Sequence, residues 1–359
     1  MTEVSHVSPT KSRFEVLDHL RGYFIVVIII DHLSRWPSLF SLITGKALLW
    51  VTAAEGFVAI SGLLVGYVRG YKNRALPMKD VSKKLIGRGL LLYVWAVIGS
   101  IAYTAILWYV PLQGGAPGLP IERGDWMNLI VQTITLEYTF VWVYFLALYA
   151  VYLAVSPIAI LLLRHNKAWL LAIISFGALV IGWQTQSMLL QWQFLFFIPT
   201  IAGYYLDSIL GWWHSIGQRR RRAITASTIS LTAGTITVSV IATFWPSLLG
   251  GISDTLGDAF SKDTISLWRA GMAFVWFTGF AMLFAVGHRV IKRLFGWLLS
   301  TIGTRSLTAY IVHGAVICAV SFFTVASQNI AINTALGAIA IVTVWAILKV
   351  PGINKVIPR

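Results

Sequence analysis

The chain has 359 residues, of which 57% are hydrophobic and 11% charged, with a formal net charge of +15 at pH 7. Soluble domains contain roughly 25% charged residues, so this composition excludes a soluble protein and predicts a polytopic membrane protein. The basic residues lie in short stretches between apolar runs, which is how membrane proteins encode their orientation, and nucleic acid is therefore excluded as a partner. The single cysteine, Cys318, excludes an intrachain disulfide.

The apolar runs predict an all-α fold of about ten transmembrane helices in one domain. The spans are expected near 16–36, 47–69, 84–110, 139–163, 168–186, 191–209, 222–244, 265–287, 302–325 and 331–349. Of the basic residues, 23 fall on one side of this arrangement and five on the other, so the positive-inside rule predicts that both termini are cytoplasmic. We expect a multi-pass protein of the cell (inner) membrane, surrounded by membrane lipids. Its expected parts are a cytoplasmic arm at 1–15, the transmembrane domain at 16–350 and a cytoplasmic tail at 351–359.

The first span combines charged residues with an apolar sequence. Arg21 and His32 are eleven residues apart, so a helix places them about 20° apart on one face, and Asp18 can pair with Arg21. Charge inside a bilayer marks a functional site by default. We expect His32 to act as a general base on a hydroxyl, and Asp31, roughly 100° round the helix, to orient another group. The alternative is an interfacial cluster that only anchors the helix end.

The second span contains a further acid and a face of small residues. Glu55 needs a partner, for which His32 or an arginine on a neighbouring span is expected. Gly62, Gly66 and Gly70 form a small-xxx-small pattern, which favours close approach of another helix.

Basic residues at the start of the third span are candidates for binding phosphate. Lys83, Lys84 and Arg88 lie at the entrance of this helix, where cationic side chains can hold phosphates. The alternative is a topology signal that also attracts anionic lipids. His313, about 12 Å into the ninth span, is either a functional group or a histidine that packs between helices.

A polar and aromatic stretch separates the fifth and sixth spans. It is expected to face the outside, where Gln191, Trp192 and Gln193 can stack on a sugar and hydrogen-bond to it. The alternative is an ordinary aromatic belt. The sequence contains no GxxxxGK[ST], HExxH, CxxC or GxSxG pattern, so neither a metal site nor a serine hydrolase is predicted.

Four segments, taken in order, resemble the OpgC branch of the family-three membrane acyltransferases. They are Leu17–Gly22 running to Asp31-His32, Ala53–Gly62, Trp192–Phe196 and Ile302–His313. In that family an arginine and a histidine separated by ten residues are held essential, and Arg21 and His32 have that spacing. The resemblance covers nearly the whole chain.

The resemblance implies transfer of an acyl group, succinyl or acetyl, from cytoplasmic acyl-CoA to a hydroxyl of an extracytoplasmic glycan. Acyl-CoA is then a cosubstrate, and no permanently bound cofactor is expected. His32 would deprotonate the acceptor, Glu55 would hold its imidazole as the carboxylate of a triad does, and His313 would contact the thioester or carry charge. The residues expected to meet the CoA phosphates are Lys83, Lys84, Arg88 and Arg305. Whether an acyl-enzyme forms is left open.

Three other functions remain open on the sequence alone. A transporter or flippase of a glycan or lipid intermediate would carry intramembrane charge, although the sequence shows no inverted repeat. A transmembrane N-acetyltransferase acting on an amino sugar is similar in its Leu-Asp-x-x-Arg-Gly opening. A catalytically inactive structural subunit is the third.

Overall fold

The structure, a computed structural model, describes residues 9–110, 117–325 and 327–353, and only the backbone of residues 9–14. Of the arm predicted at 1–15, residues 1–8 lie outside the described residues and the remainder belongs to the first helix. Residues 354–359 of the predicted tail also lie outside. The α-helices are α1 (Pro9–Leu33), α2 (Ser41–Thr44), α3 (Ala53–Leu64), α4 (Met78–Tyr109), α5 (Trp126–Ile134), α6 (Tyr144–Arg164), α7 (Ala168–Gln184), α8 (Met188–Trp192), α9 (Phe194–Tyr204), α10 (Leu206–Ser215), α11 (Gln218–Phe244), α12 (Ile252–Ala259), α13 (Leu267–Val286), α14 (His288–Thr304), α15 (Ser306–Phe323) and α16 (Ile330–Lys349). A π-helix, Val65–Lys72, continues α3, and 3₁₀ turns lie at Gly45–Ala47, Val141–Val143 and Pro246–Leu248.

The predicted all-α membrane fold is confirmed in the described part of the chain. Six helices there are long and apolar enough to cross a membrane, or up to seven if the pair bent by 61° after Tyr204 is one span. The first, second and fifth predicted spans correspond to α1, α3 and α7. Helix α1 carries charged residues, α3 has 12 residues before the π-helix begins, and α7 has 17 residues. The count of ten spans and the location of the termini therefore stay predictions.

Helix α1 lies at the centre of the bundle. It packs against α3, α13, α14, α15 and α16, and its residues from Leu20 to Leu33 are largely buried. The start of α1 lies at one end of the bundle, which we call the basic end. The same end holds the start of α4, the junctions before α7 and α11, helix α14 and the end of α16. The segment 37–52 and α12 lie at the opposite end.

The small-residue face predicted on the second span is confirmed, and it packs on α9. A methyl group built on Gly62 would lie 2.0 Å from the carbonyl oxygen of Phe196, and one on Gly66 would lie 2.0 Å from that of Thr200. Gly203 of α9 meets the carbonyl of Leu63 at the same distance. Backbones in direct contact leave no room for a side chain, which is how small residues drive helix association in membranes.

Helix α14 is an element that the sequence analysis treated as a basic loop. Arg289, Lys292 and Arg293 are among the basic residues counted there for orientation, but they lie on an amphipathic helix that packs on α1, where Lys292 pairs with Glu15. A methyl group on Gly303 would lie 1.7 Å from the carbonyl oxygen of Asp18. The helical spacing of Leu299 and the other buried positions was a signal that could have identified this helix.

We expect Gly62→Ala to lower the thermal unfolding temperature of the purified protein in detergent micelles. The added methyl meets a backbone oxygen that cannot move without shifting α9, and overpacking of this kind costs about 1–3 kcal/mol. Gly87→Ala is the matched control, because nothing lies within 4 Å of a methyl group there. Equal unfolding temperatures for the two variants would contradict the close α3–α9 contact.

Candidate functional site

Two histidines from different helices meet inside the bundle. Nδ1 of His32 on α1 lies 2.8 Å from Nε2 of His313 on α15, with the ring centroids 5.1 Å apart. His313 has 0% exposure, whereas His32 is half-buried. The stripe predicted on α1 therefore faces α15 inside the bundle, and His32 is the more exposed member of the pair.

The hydrogen bonds of the pair define which nitrogen of His32 is basic. Nδ1 of His313 donates to the carbonyl oxygen of Tyr310, so its Nε2 carries a lone pair and accepts the proton of His32 Nδ1. The Nε2 of His32 is then left unprotonated and able to accept a proton. His313 thus does for His32 what the aspartate does in a catalytic triad, holding one tautomer and one ring orientation.

Arg21 lies toward the basic end on the same face of α1. It donates to the Oγ of Ser306 at the start of α15, and its Nη1 lies 4.0 Å from the carboxylate of Asp18, as the i,i+3 spacing predicts. Its guanidinium also interacts electrostatically with Arg88 of α4 and with the hydroxyl of Tyr149. Arg21 and Arg88 therefore belong to one group of charges.

Arg69 completes this group and was missed by the sequence analysis, which counted it only among the basic residues that set the orientation. It lies on the π-helix, is half-buried and interacts electrostatically with Arg88 and Tyr149. Arg88 thus interacts with both of the other arginines, and we call Arg21, Arg69 and Arg88 the basic cluster.

The other predicted phosphate-binding residues lie outside the basic cluster. Lys83 and Lys84 lie on α4, which begins earlier than predicted, and both are exposed. Arg305 donates to the carbonyl oxygen of Leu348 at the end of α16, so its guanidinium caps that helix.

Glu55 pairs with an arginine, which was one of its two expected partners. Its Oε1 lies 2.5 Å from Nη2 and 2.9 Å from Nε of Arg269 on α13, and its Oε2 accepts from Thr52 in a capping box at the start of α3. The expectation that Glu55 orients His32 is wrong, because both carboxylate oxygens are occupied at the opposite end of the bundle while His313 holds the imidazole. Glu55 is a structural residue that joins α3 to α13.

Asp31 lies beside this ion pair and points away from His32. Its carboxylate is hydrogen-bonded to Thr44 and interacts electrostatically with Lys262, in the loop before α13. Burial lowers the pKa of Lys262 to about 8, although the carboxylates of Glu55 and Asp31 partly oppose that shift. Asp31 therefore orients the segment around Thr44, which agrees with the expectation that it orients a group other than His32.

The comparison with protein families matches residues 13–352 to the family described as OpgC protein. The chain belongs to the OpgC family. This confirms the resemblance predicted from the four sequence segments. No curated protein and no solved structure matches the chain.

In this OpgC-family chain the predicted sugar-facing residues are buried. Gln191, Trp192 and Gln193 are 0%, 4% and 6% exposed, so the expectation that they face the outside is wrong. Gln191 accepts from the backbone N–H of Ile265 and Gln193 donates to the backbone of Ser175. Buried amides must be satisfied in an apolar bundle, so these glutamines tie helices together.

Trp192 is also a structural residue, because it packs against Arg269. Its ring lies under the guanidinium of Arg269, 5.7 Å from ring centroid to charge, and packs edge-on against Phe145. The aromatic face therefore supports the buried arginine that pairs with Glu55.

We expect Glu55→Gln and Arg269→Gln each to lower the unfolding temperature strongly, because removing one partner of a buried ion pair leaves the other charge uncompensated, at about 3–5 kcal/mol. The double variant should be more stable than the sum of the two single losses predicts. Thermal unfolding of all three variants in detergent measures this, with the exposed Glu137→Gln as control. Strictly additive losses would show that the two side chains do not act as a pair.

Proposed function

We propose that this OpgC-family protein is an integral membrane O-acyltransferase that moves a succinyl or acetyl group from cytoplasmic acyl-CoA to a hydroxyl of an extracytoplasmic glycan. Family membership and the membrane-like helices support a glucan-modifying membrane acyltransferase. The observation that carries the proposal is the hydrogen bond between His32 and His313, in which His32 lies on the same face of α1 as Arg21 of the basic cluster. One helix thereby holds a proton acceptor and an anion-binding group about 16 Å apart along its axis.

Charge asymmetry supports a cytoplasmic basic end. The basic residues concentrate at the end that holds the basic cluster. The positive-inside rule therefore favours an inner-membrane protein with both termini in the cytoplasm. Acyl-CoA is supplied from that side. The pair of histidines lies further along α1, toward the side where the glycan acceptor would approach.

The basic cluster is the proposed binding site for the CoA phosphates. Guanidiniums bind phosphate through paired N–H donors, and Arg21 has a buried Nε with no hydrogen-bond partner among the described residues. Arg69 and Arg88, which lie on two other helices, interact electrostatically with each other. The exposed Lys83 and Lys84 would attract the anion to the start of α4 before it is bound.

The proposed chemistry is direct attack of the acceptor hydroxyl on the thioester. The Nε2 of His32 takes the hydroxyl proton while the oxygen forms a bond to the acyl carbon, and the carbon–sulfur bond then breaks. The imidazolium of His32, stabilised by the lone pair of His313, returns the proton to the departing CoA sulfur. The products are an acylated glycan and free CoA.

We expect His32→Ala to lower acyl transfer by about 10²- to 10⁴-fold without loss of expression, because general-base catalysis contributes that much. His313→Leu should lower the rate, while His313→Gln restores part of it, since an amide oxygen also accepts from His32 Nδ1. Transfer from labelled acyl-CoA to envelope glycan is measured by mass spectrometry, across pH for the His313 variants. The control is His165→Ala, at an exposed site.

Near wild-type product from His32→Ala would refute the general-base assignment. Normal transfer together with lost glycan or lipid translocation in membrane vesicles would instead indicate the transporter. Acylation of an amino group in the product would indicate an N-acetyltransferase.

We expect Arg88→Ala to raise the KM for acyl-CoA about tenfold to a hundredfold, because a hydrogen bond to a charged group contributes roughly 1.5–3 kcal/mol. The KM for the glycan should stay unchanged. Lys79→Ala, an exposed residue nine positions earlier on the same helix, should leave both constants unchanged. An unchanged donor KM for Arg88→Ala would remove this residue from the donor site.

A further inference from the structure

A cavity of about 530 Å³ lies on a different side of α1 from the histidines. It is lined by α1, α3, α11, α13 and the segment 41–53. Helix α1 contributes Tyr23, Phe24 and Val27, which point away, roughly 60° or more round the helix, from the face of Arg21 and His32. The cavity is therefore separate from the site to which the proposed function assigns chemistry.

The volume requires an occupant. Protein interiors are close-packed and contain few voids larger than a water molecule, whereas about 530 Å³ is the size of a ligand pocket. Most of the lining is aliphatic or aromatic, including Trp276, Phe277 and Phe280 of α13. Such walls offer water too few hydrogen-bond partners to hold it, so the occupant is apolar over most of its length.

The polar groups of the lining are gathered at one end. Ser41, Thr44, Lys46 and Thr52 come from the segment at the opposite end of the bundle, where α11 ends at Phe244. The apolar part extends from there along α11 to Ile236, about 12 Å deeper. This polarity matches a molecule with a polar head at the membrane surface and a hydrocarbon tail in the core.

The charge of Lys46 indicates the charge of the headgroup that would bind here. Its ammonium lies 5.6 Å from the ring centroid of Phe244, and among the described residues it takes part in no ion pair. A cation placed at the polar rim of an apolar cavity and lacking a protein carboxylate is complementary to an anionic headgroup.

The cavity reaches the surface that faces lipid. Leu42 and Ile43 line it and are nevertheless 86% and 56% exposed, so its wall continues onto the outside of the bundle. Helix α11, which forms another wall, buries only Thr232 and Ser239 fully. A chain from the surrounding bilayer can therefore enter sideways between loosely packed elements.

We propose that this cavity binds one acyl chain of an anionic glycerophospholipid, with the lipid headgroup beside Lys46. The hydrocarbon lies along α11 and α13, and its phosphate lies at the polar rim formed by the segment 41–53. The bound lipid supports the contact between α1 and α11 that protein side chains leave open. This inference does not depend on the acyltransferase assignment.

The test compares binding of phosphatidylglycerol and phosphatidylcholine to the purified, delipidated full chain by native mass spectrometry. The wild-type protein should retain one phosphatidylglycerol and bind it more tightly than phosphatidylcholine. Val240→Trp fills the cavity and should abolish retention, whereas Val238→Trp adds the same ring to the exposed face of α11 and should not. Lys46→Gln should weaken phosphatidylglycerol binding about fivefold and leave phosphatidylcholine unchanged.

Three results would overturn the proposal. Equal retention by Val240→Trp and Val238→Trp would place the lipid elsewhere, and equal affinity for the two lipids would remove the role of the headgroup charge. Recovery of an isoprenoid carrier or a neutral lipid, rather than an anionic phospholipid, from protein purified out of native membranes would identify a different occupant. If Val240→Trp fails to fold, the Lys46→Gln comparison decides the outcome alone, because that variant leaves the cavity walls intact.

Discussion

The hydrogen bond between His32 and His313 joins α1 to α15 inside the bundle and sets the register of one helix against the other. Two further contacts hold that register: Arg21 with Ser306 toward the basic end, and Arg35 with Thr324 at the other. In a bilayer an unpaired polar group is expensive, so each contact penalises any slip of one helix along the other. The face of α1 that carries the candidate chemistry is thereby held toward the interior.

The cost of an unpaired polar group in a bilayer also explains why residue type alone does not distinguish a catalytic polar residue from one that only joins helices. Glu55 and Gln191 are as buried as His313, and each has its hydrogen-bonding capacity used by a neighbouring helix or loop. His32 differs because it is half-buried and because one ring nitrogen remains after its partner is counted. Partial exposure together with an unused acceptor is the property that separates a candidate base from a residue that only joins helices.

The sequence was sufficient to predict the features that depend on local pattern. Apolar runs identified the helices, the eleven-residue spacing placed Arg21 and His32 on one face, and Gly62 with Gly66 marked the close approach to α9. These features follow from helix geometry alone. The first and second motifs of the family resemblance lie on the same two helices.

What the sequence could not predict depends on partners that are distant along the chain. Arg269 is 214 residues from Glu55, and no sequence pattern in either helix predicts that the two side chains pair. In the sequence Arg69 is indistinguishable from a topology signal, whereas the structure places it on the π-helix and half-buried in the bundle. The basic residues of α14 were likewise interpreted as a loop, because their charge masks the apolar periodicity of an amphipathic helix.

A series of aromatic side chains leads from the basic cluster to the histidines. Tyr149 lies beside Arg21, a cavity of about 10 Å³ separates it from Phe57, and Phe57 stacks on Tyr310 with ring centroids 6.1 Å apart. Tyr310 in turn contacts the ring of His313 at 4.7 Å. Aromatic rings can rotate about their side-chain bonds while the helices keep the register set by His32 and His313. On the proposed reaction, a thioester arm held by its phosphates at the basic cluster has to displace these rings to reach His32, and the contacts between α1 and α15 hold the base in place while it does so.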